Sequence, residues 1–353
     1  MFTIHHAPAP RALNPATPLL LLPLLLLVAV LGATSCETMA PDEPGALVPA
    51  TVDQDLSLPS IELNGTRFHA ETFGNPSNPV IVFLHGGPGG DYRSALRLTE
   101  RFDGYSLTDD YFMVLWDQRG AGLSQRNGKD RLKIDVYVRD LDALIDRYSP
   151  GRPAFLIGVS WGGMYATRYI NEHPEKVAGA VLIEPGPLDG ETAERIKDDI
   201  FDMDLGSEWL NDWAWNSQFF SADDHARMDF ERLIGMKDGQ PRFHLSTTDP
   251  EPVWRLGAAA NRYITEDGQD NDGVFNYDFT THLSEFATPV LFLTGSMSEV
   301  LGESLQKEQM KHYPSASLVV VEGAGHDVAW VKAAEVVGHI RAYLFGRRGG
   351  NQQ

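Results

Sequence analysis

What most constrains the fold of this chain is a recurrent apolar run that ends in glycine or a polar turn. "PVIVFLHGG" (79–87), "YFMVLWDQRG" (111–120), "PAFLIGVS" (153–160), "GAVLIEPG" (179–186), "TPVLFLTG" (288–295) and "ASLVVVEGAG" (316–325) all show it. A strand that is apolar on both faces needs cover on both faces, so these runs read as buried parallel strands. Helical stretches lie between several of them, in "VYVRDLDALIDRY", "GGMYATRYINEH" and "ESLQKEQMKHY", and "AAEVVGHIRAYLF" closes the pattern. Strands alternating with helices specify an α/β fold with a mainly parallel central sheet flanked by helices. Upstream, "SIELNG" and "TRFHAETFG" predict a hairpin.

The alternation fails between about Leu188 and Phe286, a stretch rich in Asp, Trp and helix formers. It reads as a helical cap over the carboxyl edge of the sheet. Trp209, Trp213 and Phe220 share one helical face, which suits packing against the main domain better than an aromatic roof over a substrate cleft. The expected division is a signal peptide over 1–35, a tether over 36–57, a core over 58–187 and 287–353, and a helical cap over 188–286.

The N-terminus supports the first of these boundaries. Arg11 precedes a leucine run from Leu19 to Leu31, and Ala33, Thr34 and Ser35 lead to the single cysteine, Cys36. That layout matches a signal peptide ending in a lipobox, with cleavage before Cys36 and a lipid on its thiol. The expectation is a lipid-anchored protein of the bacterial cell envelope, facing away from the cytoplasm. Residues 37–57 are polar and contain proline, as a tether would be. With 49 acidic against 29 basic residues, the net charge is −20 and no basic stripe stands out. Nucleic acid is therefore excluded as a partner, and the acidity suits solubility or a cationic substrate.

The chemistry centres on Gly158-Val159-Ser160-Trp161-Gly162. A strand signal precedes Ser160 and a helix signal follows it, which is the context a nucleophile elbow requires. Small residues flank such a serine because Cβ atoms there would collide. A general base should come last in the chain, and His326 stands in a glycine-containing loop after the final strand signal. The acid is expected after "TPVLFLTGSMSEV", where Ser298 occupies the usual aspartate slot and Glu299 follows it. Glu184, at the end of the preceding strand, is the competitor, and Glu299 is the preferred choice. One oxyanion donor is the amide of Trp161, immediately after the nucleophile. The other comes from "HGGPGG", where Gly86 and Gly87 can bring amides close to a substrate oxygen. His85 reads as a structural loop residue. No cofactor or metal is expected, because "HGGPGG" lacks the Lys-Ser/Thr ending of a phosphate loop and no metal cluster appears.

"HGGPGG", "WDQRGAGLS", "GVSWGG" and "GAGH" together resemble the proline iminopeptidase-like branch of the α/β-hydrolase superfamily. The resemblance covers most of 60–186 and 288–345 and leaves the cap unmatched. It implies Ser160 as nucleophile, His326 as base, Gly87 and Trp161 as oxyanion donors, and a structural role for Asp117, Gln118 and Arg119. It also implies removal of N-terminal residues, often proline, from short peptides, with acidic cap residues holding the free amine. Asp202, Asp204, Glu208 and Glu266 are the acids open to that role. Departures stand beside it: Glu184-Pro185-Gly186-Pro187 and "GSMSE" replace the branch's usual sequences. An esterase, lipase or lactonase on the same machinery is the alternative, and a non-catalytic hydrolase-like binding protein is the third.

Overall fold

The computed structural model describes residues 48–200, 225–230, 232 and 251–348. Its centre is an eight-stranded sheet in the order β1-β2-β4-β3-β5-β6-β7-β8. The strands are β1 (Ser60–Leu63), β2 (Thr66–Phe73), β3 (Val80–Leu84), β4 (Phe112–Trp116), β5 (Ala154–Val159), β6 (Val177–Ile183), β7 (Val290–Gly295) and β8 (Ala316–Val321). β2 pairs antiparallel with β1 and β4, and every pairing from β4 to β8 is parallel. The predicted hairpin is β1–β2. It turns at Asn64-Gly65, both with positive φ, which matches the twist of the flanking strands.

Each of the six apolar runs became a parallel strand, and β3, β4 and β7 are buried along their whole length. Side chains alternate between two cores, as a period of two demands. Val80, Val82 and Leu84 pack with Tyr137, Leu141 and Tyr165 of the helices Ile134–Tyr148 and Trp161–Glu172. Ile81 and Phe83 point the other way, into the core that holds Val336, Ile340 and Leu344 of the helix Ala333–Arg348.

From β3 the chain crosses to β4 on one side and then to β5 on the other. This reversal opens a crevice at the carboxyl ends of β3 and β5, where α/β sheets place their ligands. The cap leaves and returns through a narrow neck, closed by Gly190 N–H to Tyr277 O at 2.7 Å and Phe279 N–H to Leu188 O at 3.0 Å. Its described part includes the helices Gly190–Ile200 and Ala258–Asp267.

The segment read as a tether is partly folded. Val48, Thr51 and Val52 are buried, and the Val52 amide donates to Leu123 O at 2.8 Å. Residues 48–52 therefore pack onto the domain, where Pro49 O also accepts from Arg255 Nη1 at 2.8 Å. Cys36 and the leucine run lie outside the described residues. Among the described residues no helix is long and apolar enough to cross a membrane.

Candidate active site

Ser160 sits between β5 and its helix with φ 53° and ψ −120°. A non-glycine residue reaches that region only when its surroundings hold it there. The Ser160 amide donates to Ile183 O at 2.9 Å, and its carbonyl accepts from Gly163 N–H at 2.9 Å. Glycine is needed at 158 and 162 for a steric reason: a Cβ at Gly162 would strike the Leu84 carbonyl, and one at Gly158 would strike that of Gly162. The turn thus lifts the serine hydroxyl above the sheet edge, and the helix Trp161–Glu172 begins immediately after it.

The loop after β3 folds over this serine. An added Cβ on Gly86 would lie 3.3 Å from Ser160 Cβ, and Gly87 adopts φ 122°. Buried His85 braces the loop. Its Nδ1–H donates to Gly86 O at 2.9 Å, and its Nε2 accepts the Gln118 amide at 2.9 Å. Burial holds its pKa down, so the ring is neutral and has no free nitrogen for catalysis. Gln118 Nε2 donates to His85 O, and Gln118 Oε1 accepts from Trp161 Nε1. One side chain therefore links both segments expected to supply oxyanion amides. Beneath it, Asp117 accepts from the amides of Tyr92 and Leu123 and from His69 Nδ1, while Arg119 forks onto Asp140.

His326 lies in the loop after β8 and is 8% exposed. Its carboxylate partner is Glu184: Nδ1 meets Glu184 Oε2 at 2.7 Å. Glu299, the preferred acid from the sequence, is exposed at the surface. The turn after β7 explains the reversal. With Ser298 N–H closing onto Gly295 O, Ser298 faces the interior and its neighbour faces solvent. Glu184 is fully buried with φ 43°, a backbone state that the sequence does not advertise. Thr294 Oγ1 and the Gly295 amide donate to Glu184 Oε1, both at 2.7 Å, and Ser298 Oγ donates to Oε2 at 3.0 Å.

Ser160, His326, Gly86, Gly87 and Trp161 all border one cavity of about 360 Å³. Most of its remaining wall is apolar, with Phe83 and Leu98 from the core, Met164 beside the serine, and Leu256, Tyr277 and Phe279 from the cap. A model of the α/β-hydrolase fold matches residues 79–333. The chain belongs to the α/β-hydrolase fold family. Within this family it is proline iminopeptidase-like. A probable proline iminopeptidase of Leptolyngbya boryana is 30% identical over 318 residues, covering 80% of this chain and 91% of the relative. The solved proline iminopeptidase of Mycobacterium smegmatis superposes with a TM-score of 0.57 at 16% identity, over 82% of this chain and 97% of that one. An N-acyl homoserine lactone degrading enzyme, Est816, superposes with a TM-score of 0.54 at 19% identity, over 80% and 99%.

In this α/β-hydrolase the cap is bound to the loop that carries Gly87. Asp91 accepts the amides of Arg93, Trp254 and Arg255, at 3.0, 2.5 and 3.1 Å. Gly257 N–H donates to Gly89 O and Asn261 Nδ2 to Pro88 O. Burial, reinforced by Asp117, raises the Asp91 carboxyl to about 7. Sequence reading missed Asp91, although an acid directly after "HGGPGG" was there to notice. It also missed Glu251, a carboxylate that lines the same cavity. Of the cap acids singled out, Glu266 instead pairs with Lys129 and Arg262 at 2.8 and 2.7 Å. Asp202, Asp204 and Glu208 lie outside the described residues, as do Trp209, Trp213 and Phe220.

Proposed function

We propose that the chain is a serine hydrolase acting through an acyl-enzyme, with Ser160 as nucleophile, His326 as base and Glu184 as acid. The observation that carries this reading is the strained Ser160 elbow facing the same cavity as a histidine whose Nδ1 is fixed on a buried carboxylate. Ser160 Oγ attacks the substrate carbonyl and His326 Nε2 takes its proton. Glu184 accepts the Nδ1–H throughout and stabilises the imidazolium. The amides of Trp161 and Gly87 hold the oxyanion, a contribution worth about 3–4 kcal/mol per donor in such sites. His326 then protonates the leaving group, water attacks the acyl-Ser160 ester with His326 as base, and the acid product leaves.

The substrate we favour is a short peptide with a free N-terminus, as the names of the proline iminopeptidase relatives suggest. Glu251 supports it: this carboxylate lines the same cavity as Ser160 and His326, where it can pair with a substrate ammonium. The second reading, an esterase or lactonase, draws on the mainly apolar cavity wall. A panel of prolyl and alanyl amides, their N-acetylated counterparts and simple acyl esters separates the two. Cleavage of the amides with loss on acetylation supports the aminopeptidase, whereas indifference to the amine supports the esterase. Failure of Ser160 to take up a fluorophosphonate probe overturns both and leaves a binding protein.

We also propose the envelope location, on the strength of the lipobox-like stretch before Cys36. Cys36→Ala should release the protein from the membrane fraction; unchanged membrane association and size would remove the idea.

A further inference from the structure

The loop that carries Gly87 depends on outside contacts for its shape. Residues 86–90 are Gly-Gly-Pro-Gly-Gly, and glycine backbones have too little preference to hold an amide in one place. At its base, Gly86 O accepts from His85 Nδ1–H at 2.9 Å and from the Gly90 amide at 3.2 Å. Its tip is held from the cap. Gly257 N–H donates to Gly89 O at 2.7 Å, and Asn261 Nδ2 donates to Pro88 O at 2.8 Å. A Cβ on Gly89 would lie 2.4 Å from Gly257 O, so the two backbones are in direct contact. Asn261 is itself well anchored, near the start of the helix Ala258–Asp267. Its amide donates to Gly257 O at 2.9 Å, and its carbonyl accepts from Thr265 Oγ1 at 2.8 Å. Ala259, Ala260 and Ile264 set that helix into the core that also holds Trp161.

We infer that Asn261 is a positioning residue, which fixes the Gly87 amide beside Ser160 by holding the carbonyl of Pro88. The inference rests on the reading of Gly87 as an oxyanion donor. Proline locks φ at 88, so a displacement of the Pro88 carbonyl is passed back to Gly87 rather than absorbed between them. Gly87, at φ 122°, has no Cβ to resist that turn. An oxyanion donor acts over a narrow range of distance, and a misplacement of about 1 Å costs on the order of 10²-fold. Every substrate places its oxyanion in the same hole, so a residue that acts through Gly87 affects all substrates alike. Asn261 also borders the cavity, and a residue that merely bound substrate would act through KM on those substrates that reach it.

The test uses 4-nitrophenyl acetate and octanoate, the prolyl and alanyl amides, and the rate at which a fluorophosphonate labels Ser160. Asn261→Ala and Asn261→Asp, the latter keeping the volume but not the donor, are each made alone and in the Gly87→Ala background. Thermal unfolding shows whether each variant is folded. Either substitution alone should lower kcat by roughly 10- to 30-fold, by one common factor for every substrate cleaved, and slow the labelling in step. In the Gly87→Ala background the same changes should cost no more than about threefold further, since their target is already displaced. Losses that fall in KM, or that differ between the two acyl lengths, would overturn the role in favour of substrate binding. Additive losses in the double variants would overturn it as well, as would wild-type activity in Asn261→Asp. If Asn261→Ala does not fold, Asn261→Asp gives the same readings, and unfolding of both makes Asn261 a purely structural residue and overturns the proposal. Failure of the underlying reading shows differently, as a wild-type Ser160 that resists fluorophosphonate or as Gly87→Ala with undiminished kcat.

Discussion

Glu184 and His326, 142 residues apart in the chain, meet through Oε2 and Nδ1 at 2.7 Å at the carboxyl edge of the sheet. The contact needs two strands to bring their ends together, β6 with its left-handed Glu184 and β8 with the loop behind it. Glu184 is fully buried, so this bond is shielded from screening and fixes the ring orientation.

Glu184→Gln and Glu299→Gln measured side by side should therefore diverge. The first should lower kcat on the order of 10³–10⁴-fold while the fold survives, because the ring loses the acceptor that fixes its tautomer. The second should stay within about twofold of wild type, since an exposed surface carboxylate contributes little. Comparable losses in both would contradict the arrangement.

Gly87→Ala tests the oxyanion loop. Gly87 holds φ 122°, and a Cβ there would sit 2.7 Å from the amides of Gly89 and Gly90. The loop must shift, and the expected cost is roughly 10²-fold in kcat with a smaller change in KM, as for the loss of one oxyanion donor. A change confined to KM would instead place Gly87 in substrate binding.

Asp91 predicts a pH dependence of stability. Its carboxyl is raised to about 7 by burial and by Asp117, so the folded state holds a proton that the unfolded chain releases near its ordinary value. Its contribution is thus fully present below about pH 4 and lost as pH rises through about 7. Urea midpoints should fall for wild type between about pH 5 and pH 8, and Asp91→Asn should flatten that decline. An unaltered slope in the variant counts against the assignment. The same variant keeps an acceptor for the Trp254 and Arg255 amides, so the cap clamp should survive.

The cap is also fastened by a buried ion triad. Asp229 accepts from Arg126 Nη2 at 2.9 Å, from Arg255 Nε at 2.8 Å and from the Ala258 amide at 2.8 Å, and Arg255 Nη1 reaches Pro49 O. Asp229→Ala strands two guanidinium groups that are almost or wholly removed from water. The expected loss is about 3–5 kcal/mol in urea unfolding, as for other buried pairs cut on one side. A loss under about 1 kcal/mol would show that water or the cap relaxes into the gap.

Much of this was legible in local pattern. Continuous apolar runs marked the parallel strands because burial on both faces leaves no room for alternation, and Asn64-Gly65 marked the hairpin because its turn needs positive φ. The elbow at Ser160 and the loop that carries His326 were equally visible, since the elbow demands glycines at fixed offsets and that loop follows the last apolar run. The burial of Val52 was not, because its amide finds its acceptor, Leu123 O, far along the chain.

The sequence by itself determined the α/β layering, the elbow around Ser160 and the loop that folds over it, because each depends on steric needs a few residues apart. Only the tertiary structure decided which carboxylate serves His326. Glu299 and Glu184 are both glutamates at strand ends, and nothing local separates them. The difference lies in a left-handed backbone at Glu184 and in three donors from another strand and its turn, Thr294, Gly295 and Ser298, which exist as a site only once β6 and β7 lie side by side.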